Sequence, residues 1–262
     1  MEEIKFAVTC NKNDSRHLEA QAKSWADELL VRYVKRYENG SLDAMLKDYQ
    51  LDALLIASRN GPQIYTPEGM LFYHPGLGKV RWQRVMLRHE NDNFLTALAV
   101  STGQRVLDCT LGLAADALLA SCAVGKTGTV IGLEASLLLW FLTSRGISGY
   151  KGTIPALADD LCHIQIVHTE ASAYLKTVLA DSFDVVYFDP MFRRPVTRSS
   201  EMVPLRPLAY SEPLTLETVE LALKAAPRVV IKERSVEILR EYGCTEFVGT
   251  KYSAVRFGIR KR

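Results

Sequence analysis

The sequence predicts a doubly wound α/β fold with a mostly parallel, seven-stranded sheet and a small N-terminal α/β addition. Three observations support this expectation. From residue 94 onward, short apolar segments alternate with helical patterns, which is typical of parallel strands joined by crossover helices. Three successive apolar segments end in an acidic residue or run directly into one. Apolar residues make up 48% of the 262 residues, enough for one large core or a core with a small appendage.

The N-terminal part contains a strand, a helix and a hairpin pattern. Residues 4–10 are predicted to form a strand, and apolar residues then recur at helical spacing over 18–33. Two β-type segments at 51–58 and 63–66 flank Asn60-Gly61, a dipeptide that is typical of hairpin turns. These elements predict a small α/β unit ahead of the main sheet.

The polar run at 88–93 predicts the boundary between two domains. We therefore expect a small α/β domain at 1–92 and the doubly wound domain at 93–262. The strands of the larger domain are expected near 105–108, 129–134, 164–168, 184–189, 228–233, 245–251 and 253–260.

A small-residue loop follows the first strand of the larger domain. The strand ends at Asp108, Gly112 lies in the loop, and a helix begins near Ala115. Glycine permits a tight turn and a close approach of the backbone to a ligand, and a helix start offers unpaired N–H groups. The loop therefore predicts a nucleotide-type ligand, although by itself it fits a nicotinamide cofactor equally well.

Acidic residues follow the next two strands. Glu134 ends the second strand and is placed to accept hydrogen bonds from both hydroxyls of a ribose. The third strand runs into Glu170, where an acid can meet the amino group of an adenine. This order of acid-tipped strands favours a nucleoside cofactor more strongly than the glycine loop alone.

An apolar run at 183–188 ends abruptly in Asp189, Pro190, Met191 and Phe192. Parallel sheets bind ligands at the carboxyl ends of their strands, so Asp189 is expected at a pocket. An isolated Asp-Pro pair followed by Phe is more often a turn whose aromatic ring covers the core. The acid-tipped strands that precede it favour a reaction site instead.

These segments resemble known enzymes. The loop at 108–117 resembles the nucleotide-binding loop of class I S-adenosylmethionine-dependent methyltransferases, Asp-x-x-x-Gly-x-Gly. The segment at 189–192 is similar to the Asp/Asn-Pro-Pro-Tyr/Phe signature of methyltransferases that modify exocyclic amino groups of bases. Together with 228–232, they resemble the bacterial family that contains the 16S ribosomal RNA guanine-N2 methyltransferase, and most closely its uncharacterised branch with an extra N-terminal α/β segment.

The resemblance implies a Rossmann-like methyltransferase that uses S-adenosylmethionine, with guanine N2 in ribosomal RNA as the first expected target. The expected partner is ribosomal RNA or a ribosomal subunit. The implied cofactor contacts are Asp108, Gly112, Ala115, Asp116, Glu134, Ala135, Glu170, Ala171 and Asp189. The implied catalytic residues are Asp189, Pro190 and Phe192: the acid and a neighbouring carbonyl hold the amine, and the aromatic ring stacks on the base.

The sequence departs from the catalytic branch of that family at two places. Ala114 occupies the second glycine position of the loop, so the backbone there must avoid a positive φ or accept strain. Arg193 and Arg194 separate Phe192 from Pro195, whereas the catalytic branch has proline directly after the aromatic residue. These departures concern the RNA substrate more than the cofactor.

The charge pattern suggests where a substrate would bind. A net charge of +2 is too small to predict nucleic-acid binding by itself. Arg193 and Arg194 follow the expected catalytic turn, so we expect them to hold RNA phosphates. Lys232, at the end of the neighbouring strand, either meets a phosphate or caps the sheet. Two further basic clusters, at 79–88 and 256–262, fit a phosphate surface and an ordinary solvated surface equally.

Alternative functions stay open at this point. The same chemistry on a protein amide or a small molecule is one, and a non-catalytic cofactor-binding or RNA-binding protein is another. Cys109 adjoins the cofactor loop rather than the Asp-Pro turn, so cysteine-dependent methylation of a pyrimidine C5 is not expected.

The composition of the chain indicates the cellular compartment and limits the other kinds of partner that we expect. The five cysteines form no C-x-x-C pair and no metal spacing, so we expect no metal, and reduced thiols in the cytoplasm. The longest apolar stretch is far shorter than the roughly 20 residues needed to cross a bilayer, and the acidic N-terminus does not suggest export. We therefore expect no membrane partner, while a homo-oligomer is neither predicted nor excluded.

Overall fold

The computed structural model describes residues 4–12, 16–190, 205–210, 212–250 and 253–262 of the chain. These residues fall into two compact units. The first unit lies within 1–74, 141–149 and 196–209, and the second lies within 75–140, 150–195 and 210–262. The domain boundary expected between residues 92 and 93 stays a prediction.

The first unit contains a four-stranded sheet. Its elements are β1 (Phe6–Cys10), α1 (Arg16–Glu28), α2 (Leu42–Tyr49), β2 (Ala53–Ser58), β3 (Gly61–Thr66) and β4 (Gly69–Phe72). The strands follow the order β1-β2-β3-β4, with β1 and β2 parallel and the other pairs antiparallel. The predicted hairpin is confirmed as β2 and β3. The helix expected over 18–33 is too long, because Leu30 adopts a left-handed φ of +55° and α1 ends at Glu28.

The second unit holds most of the helices and the large sheet. Its elements are α3 (Gly76–Arg88), α4 (Asn93–Leu98), β5 (Arg105–Asp108), α5 (Ala115–Val124), β6 (Thr129–Glu134), α6 (Leu137–Ser148), α7 (Pro155–Cys162), β7 (Ile164–His168), α8 (Ala171–Leu175), β8 (Val185–Phe188), α9 (Leu216–Ala225), β9 (Arg228–Glu233), α10 (Val236–Glu241), β10 (Glu246–Val248) and β11 (Arg256–Lys261). Helix α6 belongs to this unit as far as Trp140 and to the first unit from Phe141.

The large sheet has seven strands in the order β7-β6-β5-β8-β9-β11-β10. Strands β5 to β9 are parallel, and β11 runs antiparallel between β9 and β10. This arrangement confirms the predicted doubly wound, mostly parallel sheet. From β5 the sheet extends to one side through β6 and β7, and the chain then crosses to the other side with β8 and β9. The carboxyl ends of β5 and β8 therefore form the switch point at which such sheets bind ligands.

Apolar side chains cover both faces of the central strands. Val106 and Leu107 of β5, Val186 of β8 and Val230 of β9 are completely buried. Each such side chain contributes about 1.5–3 kcal/mol through burial. The core thereby fixes the strands whose carboxyl ends carry the polar residues of the candidate site.

Candidate active site

The predicted site residues lie at the carboxyl edge of the large sheet. Asp108 is the last residue of β5, Glu134 is the last residue of β6, and Asp189 directly follows β8. Glu170 lies between β7 and α8, and Lys232 is the next-to-last residue of β9. The loops and first helical turns that follow these strands contain the other predicted residues that the structure describes, Gly112, Ala115, Asp116, Ala135, Ala171 and Pro190.

The loop between β5 and α5 leaves its backbone open to a ligand. Gly112 has a φ of +53°, and a Cβ at this position would meet no atom within 4 Å. Leu111 anchors the loop on the sheet, since a Cβ at Gly132 of β6 would lie 2.4 Å from its Cδ1 atom. The absence of a side chain at Gly132 therefore allows the loop to approach β6 closely.

Ala114 adopts the left-handed conformation, with φ +60° and ψ 26°. The sequence left two outcomes open here, and the backbone accepts the strain, which costs roughly 1–2 kcal/mol for a residue with a Cβ. Ala114 precedes α5 and provides no capping side chain for its first N–H groups. Such helix starts favour negatively charged or polar ligand groups.

Glu134 holds the loop and is itself buried. Its Oε2 accepts a hydrogen bond from the Gly112 N–H at 3.0 Å, and its Oε1 accepts one from the Ser136 N–H at 2.8 Å. Burial raises the pKa of Glu134, and hydrogen bonds from the backbone N–H groups of Ser136, Gly112 and Ala135 oppose that rise. Because a carboxylate has about four lone-pair positions, Glu134 keeps acceptor capacity for a ligand hydroxyl beside these N–H groups.

Glu170 lies next to Glu134 in the fold. The N–H of Thr169 donates to the Glu134 carbonyl oxygen at 3.1 Å, which connects the ends of β6 and β7. The Glu170 carboxylate accepts from the Ser172 hydroxyl at 2.7 Å. The two acids expected to recognise a nucleoside thus follow neighbouring strands.

Thr110 connects the two central strands. Its N–H donates to Asp108 Oδ1 at 3.0 Å, and its hydroxyl lies 3.4 Å from the same oxygen. The N–H of Asp189 donates to the Thr110 hydroxyl at 2.6 Å. Burial raises the pKa of Asp108 to about 8, which favours the protonated, uncharged form of this carboxyl group. Thr110 and Asp108 therefore fix the backbone of Asp189 without adding a charge.

Asp116, in the first turn of α5, accepts from three side chains. Its Oδ1 accepts from Arg81 Nη1, and its Oδ2 accepts from the Tyr187 hydroxyl at 2.8 Å and from Lys232 Nζ at 3.1 Å. Although burial raises the pKa of Asp116, Lys232 and Arg81 lower it to about 2. Because protein groups occupy this carboxylate, we expect any cofactor contact at position 116 to come from the backbone.

Lys232 lies between Asp116 and Asp189. It donates to Asp189 Oδ2 at 2.7 Å, and no other described residue donates to that carboxylate. Burial raises the pKa of Asp189 to about 6, although the charge of Lys232 opposes the rise. The ion pair with Lys232 favours the ionised form of Asp189, its Oδ1 can accept an incoming N–H group, and its side chain is 30% exposed.

Three members of this network were not predicted as site residues: Arg81, Thr110 and Tyr187. Tyr187 belongs to an apolar strand, a pattern that indicates structure rather than a site. Thr110 lies within the predicted ligand-binding loop, but no feature of the sequence distinguishes its hydroxyl. Arg81 belongs to the basic cluster at 79–88, yet its guanidinium donates to both carboxylate oxygens of Asp92 at 2.9 Å and also to Asp116. It is therefore a member of the site network rather than a solvated surface charge.

Some expectations concern residues beyond the described ranges. Phe192, Arg193 and Arg194 lie there, so their roles stay predictions. Among the described residues, no group of three or more His, Cys, Asp or Glu side chains is arranged to hold a metal ion. The helices in the described parts of the chain are all too short or too polar to cross a membrane.

A family model decides what kind of protein this is. The model described as "Putative SAM-dependent methyltransferase" matches residues 72–260. The chain belongs to this methyltransferase family. The protein is thus a methyltransferase that uses S-adenosylmethionine as its cofactor.

Several individual proteins are similar to this methyltransferase. It is 34% identical over 225 residues to the uncharacterized protein YpiP of Bacillus subtilis, and this aligned region covers 86% of each chain. It is 28% identical over 138 residues to ribosomal RNA small subunit methyltransferase J of Rhodopseudomonas palustris, which covers 52% of this chain and 61% of that one. The crystal structure of the SAM-dependent methyltransferase NGO1261 of Neisseria gonorrhoeae matches with a TM-score of 0.61 at 17% identity, over 97% of this chain and 95% of that one. The last match supports the Rossmann-like class I fold.

Proposed function

We propose that this methyltransferase modifies an exocyclic amino group of a nucleic-acid base, with guanine N2 in ribosomal RNA as the first candidate. The observation that carries the proposal is the Asp189 carboxylate. It follows β8 directly, Lys232 holds it through Oδ2, and Oδ1 accepts no bond from the described residues. Pro190 and Phe192 follow it in the order of the exocyclic-amine signature.

We assign the cofactor to the loops on the same edge of the sheet. Glu134 is assigned to the ribose hydroxyls, Glu170 is assigned to the adenine amino group, and the backbone at Gly112 is open to close approach. The other proposed contacts are Asp108, Ala115, Asp116, Ala135, Ala171 and Asp189. When bound, S-adenosylmethionine supplies an electrophilic methyl group.

Asp189 acts on the nucleophile in this proposal. An exocyclic amine delocalises its lone pair into the ring, which makes a planar nitrogen a poor nucleophile. A carboxylate that accepts one of its N–H groups favours the pyramidal nitrogen whose lone pair can attack the methyl group. Since the pKa of Asp189 is raised only to about 6, its carboxylate is an acceptor rather than a donor at pH 7.

Ribosomal RNA is supported as the substrate by a relative and by the sequence after the catalytic turn. The similar protein from Rhodopseudomonas palustris is by name a ribosomal RNA small subunit methyltransferase. Arg193 and Arg194 would hold phosphates, and Phe192 would stack on the base. Membership of the branch with an N-terminal α/β segment, and a cytoplasmic location, belong to the same proposal.

Other chemistries have less support. Burial raises the pKa of the Cys109 thiol well above its usual value, so Cys109 is a poor candidate for the thiolate that pyrimidine C5 methylation requires. A protein amide or a small molecule could use the same acceptor at Asp189, but neither needs the basic pair that follows the turn. A non-catalytic protein would not need a carboxylate at the strand end whose second oxygen accepts no bond from the described residues.

The test is a comparison of nucleosides in small-subunit ribosomal RNA from wild-type and deletion strains by mass spectrometry. We expect the deletion to remove N2-methylguanosine at one position, and the wild-type gene to restore it. A gene with Asp189→Ala should fail to restore it, whereas Asp159→Ala, the same change at an exposed position of α7, should succeed. Identical nucleosides in both strains would overturn the RNA assignment and favour a protein amide or a small molecule.

A further inference from the structure

A chain of hydrogen bonds connects Asp189 to helix α3. Lys232 Nζ donates to Asp189 Oδ2 at 2.7 Å and to Asp116 Oδ2 at 3.1 Å. The other oxygen of Asp116 accepts from Arg81, which also donates to both oxygens of Asp92 at 2.9 Å. The Lys232 and Arg81 side chains are only 19% and 24% exposed, so water screens these charges weakly.

We propose that Lys232, Asp116 and Arg81 are positioning residues that hold the Asp189 carboxylate, in its ionised form, through one oxygen. This inference rests on the proposed role of Asp189 in the reaction. The role of Lys232 is then to position the Asp189 carboxylate, whereas the sequence led us to expect a phosphate contact or a cap on the sheet. Lys232 acts through Asp189 and leaves the second carboxylate oxygen to the target amine.

The carboxylates of Asp116 and Asp189 both accept a hydrogen bond from the ammonium group of Lys232, so they share its charge. Removing the charge of Lys232 leaves Asp189 without its opposite charge, which favours protonation of Asp189. Removing the charge of Asp116 leaves the ammonium group to Asp189 alone and removes a like charge, which favours ionisation of Asp189. The two changes therefore shift the pKa of Asp189 in opposite directions, whereas a purely structural role predicts no such pair of shifts.

The other described groups near Asp189 have pKa values that lie away from its own. Among the residues that the structure describes, the charged and titratable groups that face it are Arg81 of α3, Asp108 of β5, Asp116 of α5, Tyr187 of β8 and Lys232 of β9. Burial raises the pKa of Asp108 to about 8 and that of Tyr187 well above its usual value. The pKa of Asp116 is about 2, and opposite charges outweigh burial to raise the pKa values of Lys232 and Arg81. Within this set, the pKa of Asp189 is the one that burial raises to about 6.

The test requires no methyl acceptor. In the full-length protein with ¹³C-labelled aspartate carboxyl groups, nuclear magnetic resonance follows each carboxyl group as the pH is raised, and Asp189→Asn identifies the resonance of Asp189. We expect Lys232→Gln to raise the titration midpoint of Asp189 by roughly one pH unit or more, and Asp116→Asn to lower it. Lys224→Gln, which removes the same charge from an exposed position of α9, should leave the midpoint unchanged.

The outcomes separate this inference from the proposed function. An unchanged midpoint in Lys232→Gln, or shifts of the same sign in both variants, would overturn it whatever the substrate is. If Lys232→Gln does not fold, Arg81→Gln replaces it: a smaller upward shift supports the inference, and no shift contradicts it. If the opposite shifts occur and no RNA is methylated, the RNA assignment fails and the positioning role stands.

Discussion

Gly78 on α3 and Ala115 at the start of α5 are in direct contact. A Cβ at position 78 would lie 3.0 Å from the Cα of Ala115 and 3.2 Å from its carbonyl oxygen. Ala115 opens the helix that follows the cofactor loop, so the missing side chain at Gly78 sets how closely α3 packs there. The same helix carries Arg81, and the contact therefore also determines whether Arg81 reaches Asp116.

Gly78→Leu should move α3 away from α5, destabilise the protein and weaken cofactor binding. Overpacking of such a contact costs typically about 1–3 kcal/mol. Thermal unfolding and calorimetric titration with S-adenosylmethionine measure the two effects. Val80→Leu enlarges a side chain that is 51% exposed on the same helix, so it should leave both quantities unchanged. Wild-type stability and affinity in Gly78→Leu would show that the contact does not position the loop.

Glu134→Ala should chiefly weaken binding of S-adenosylmethionine and of its demethylated product. We expect the wild type to bind both in the micromolar range, about −8 kcal/mol, with no comparable affinity for NAD. Loss of a hydrogen bond to a charged group costs about 1.5–3 kcal/mol, which is roughly tenfold or more in affinity. Calorimetry measures the loss, and Glu217→Ala at an exposed position of α9 is the control. An unchanged affinity would remove Glu134 from the proposed ribose contact.

Ala114→Gly should destabilise the protein less than Ala117→Gly, the same change three residues later. Glycine relieves a left-handed strain of about 1–2 kcal/mol at position 114, which offsets the lost methyl group and the added chain entropy. Ala117→Gly loses a buried methyl group of α5 without any such relief. Chemical denaturation should therefore find Ala117→Gly less stable than Ala114→Gly by about 1–2 kcal/mol. Equal losses would mean that Ala114 carries no strain.

Asp108→Asn should change how stability depends on pH. Burial raises the pKa of Asp108 from 3.8 to about 8 in the folded protein. The contribution of Asp108 to stability is thus fully present below about pH 4 and is lost as the pH rises through about 8, by at most about 1.4 kcal/mol per pH unit. The unfolding free energy of the wild type minus that of the variant should fall across this window and then level off. A difference that is constant with pH would mean that Asp108 is ionised in the fold.

The sequence predicts those parts of the fold and site that have local signals. The strands expected at 129–134 and 164–168 coincide with β6 and β7, because apolar, β-branched runs are visible in the chain itself. Glu134 and Asp189 could be predicted since each directly ends or follows such a run. At Ala114 the sequence allowed two backbone conformations, and only packing of the loop against the sheet selects between them.

The charge network could not be predicted in the same way. Arg81, Asp116 and Lys232 lie on three elements that are distant in the chain, and only the packing of α3 and α5 on the sheet brings them together. Tyr187 has the pattern of an ordinary buried strand residue, and nothing local indicates that its hydroxyl reaches Asp116. Long-range pairs of charges therefore have to be read from the structure.

The central claim is that Asp189 accepts an N–H group of the target amine during methyl transfer. Its most direct test is the transfer of a tritiated methyl group from S-adenosylmethionine to small-subunit ribosomal RNA taken from a strain that lacks the gene. We predict label in N2-methylguanosine with the wild type, and a rate lower by roughly 10²-fold or more with Asp189→Ala at saturating cofactor. Cofactor affinity is measured in the same preparations, because Asp189 is also a proposed cofactor contact. A folded, cofactor-binding Asp189→Ala protein that methylates the RNA at the wild-type rate would contradict the mechanism.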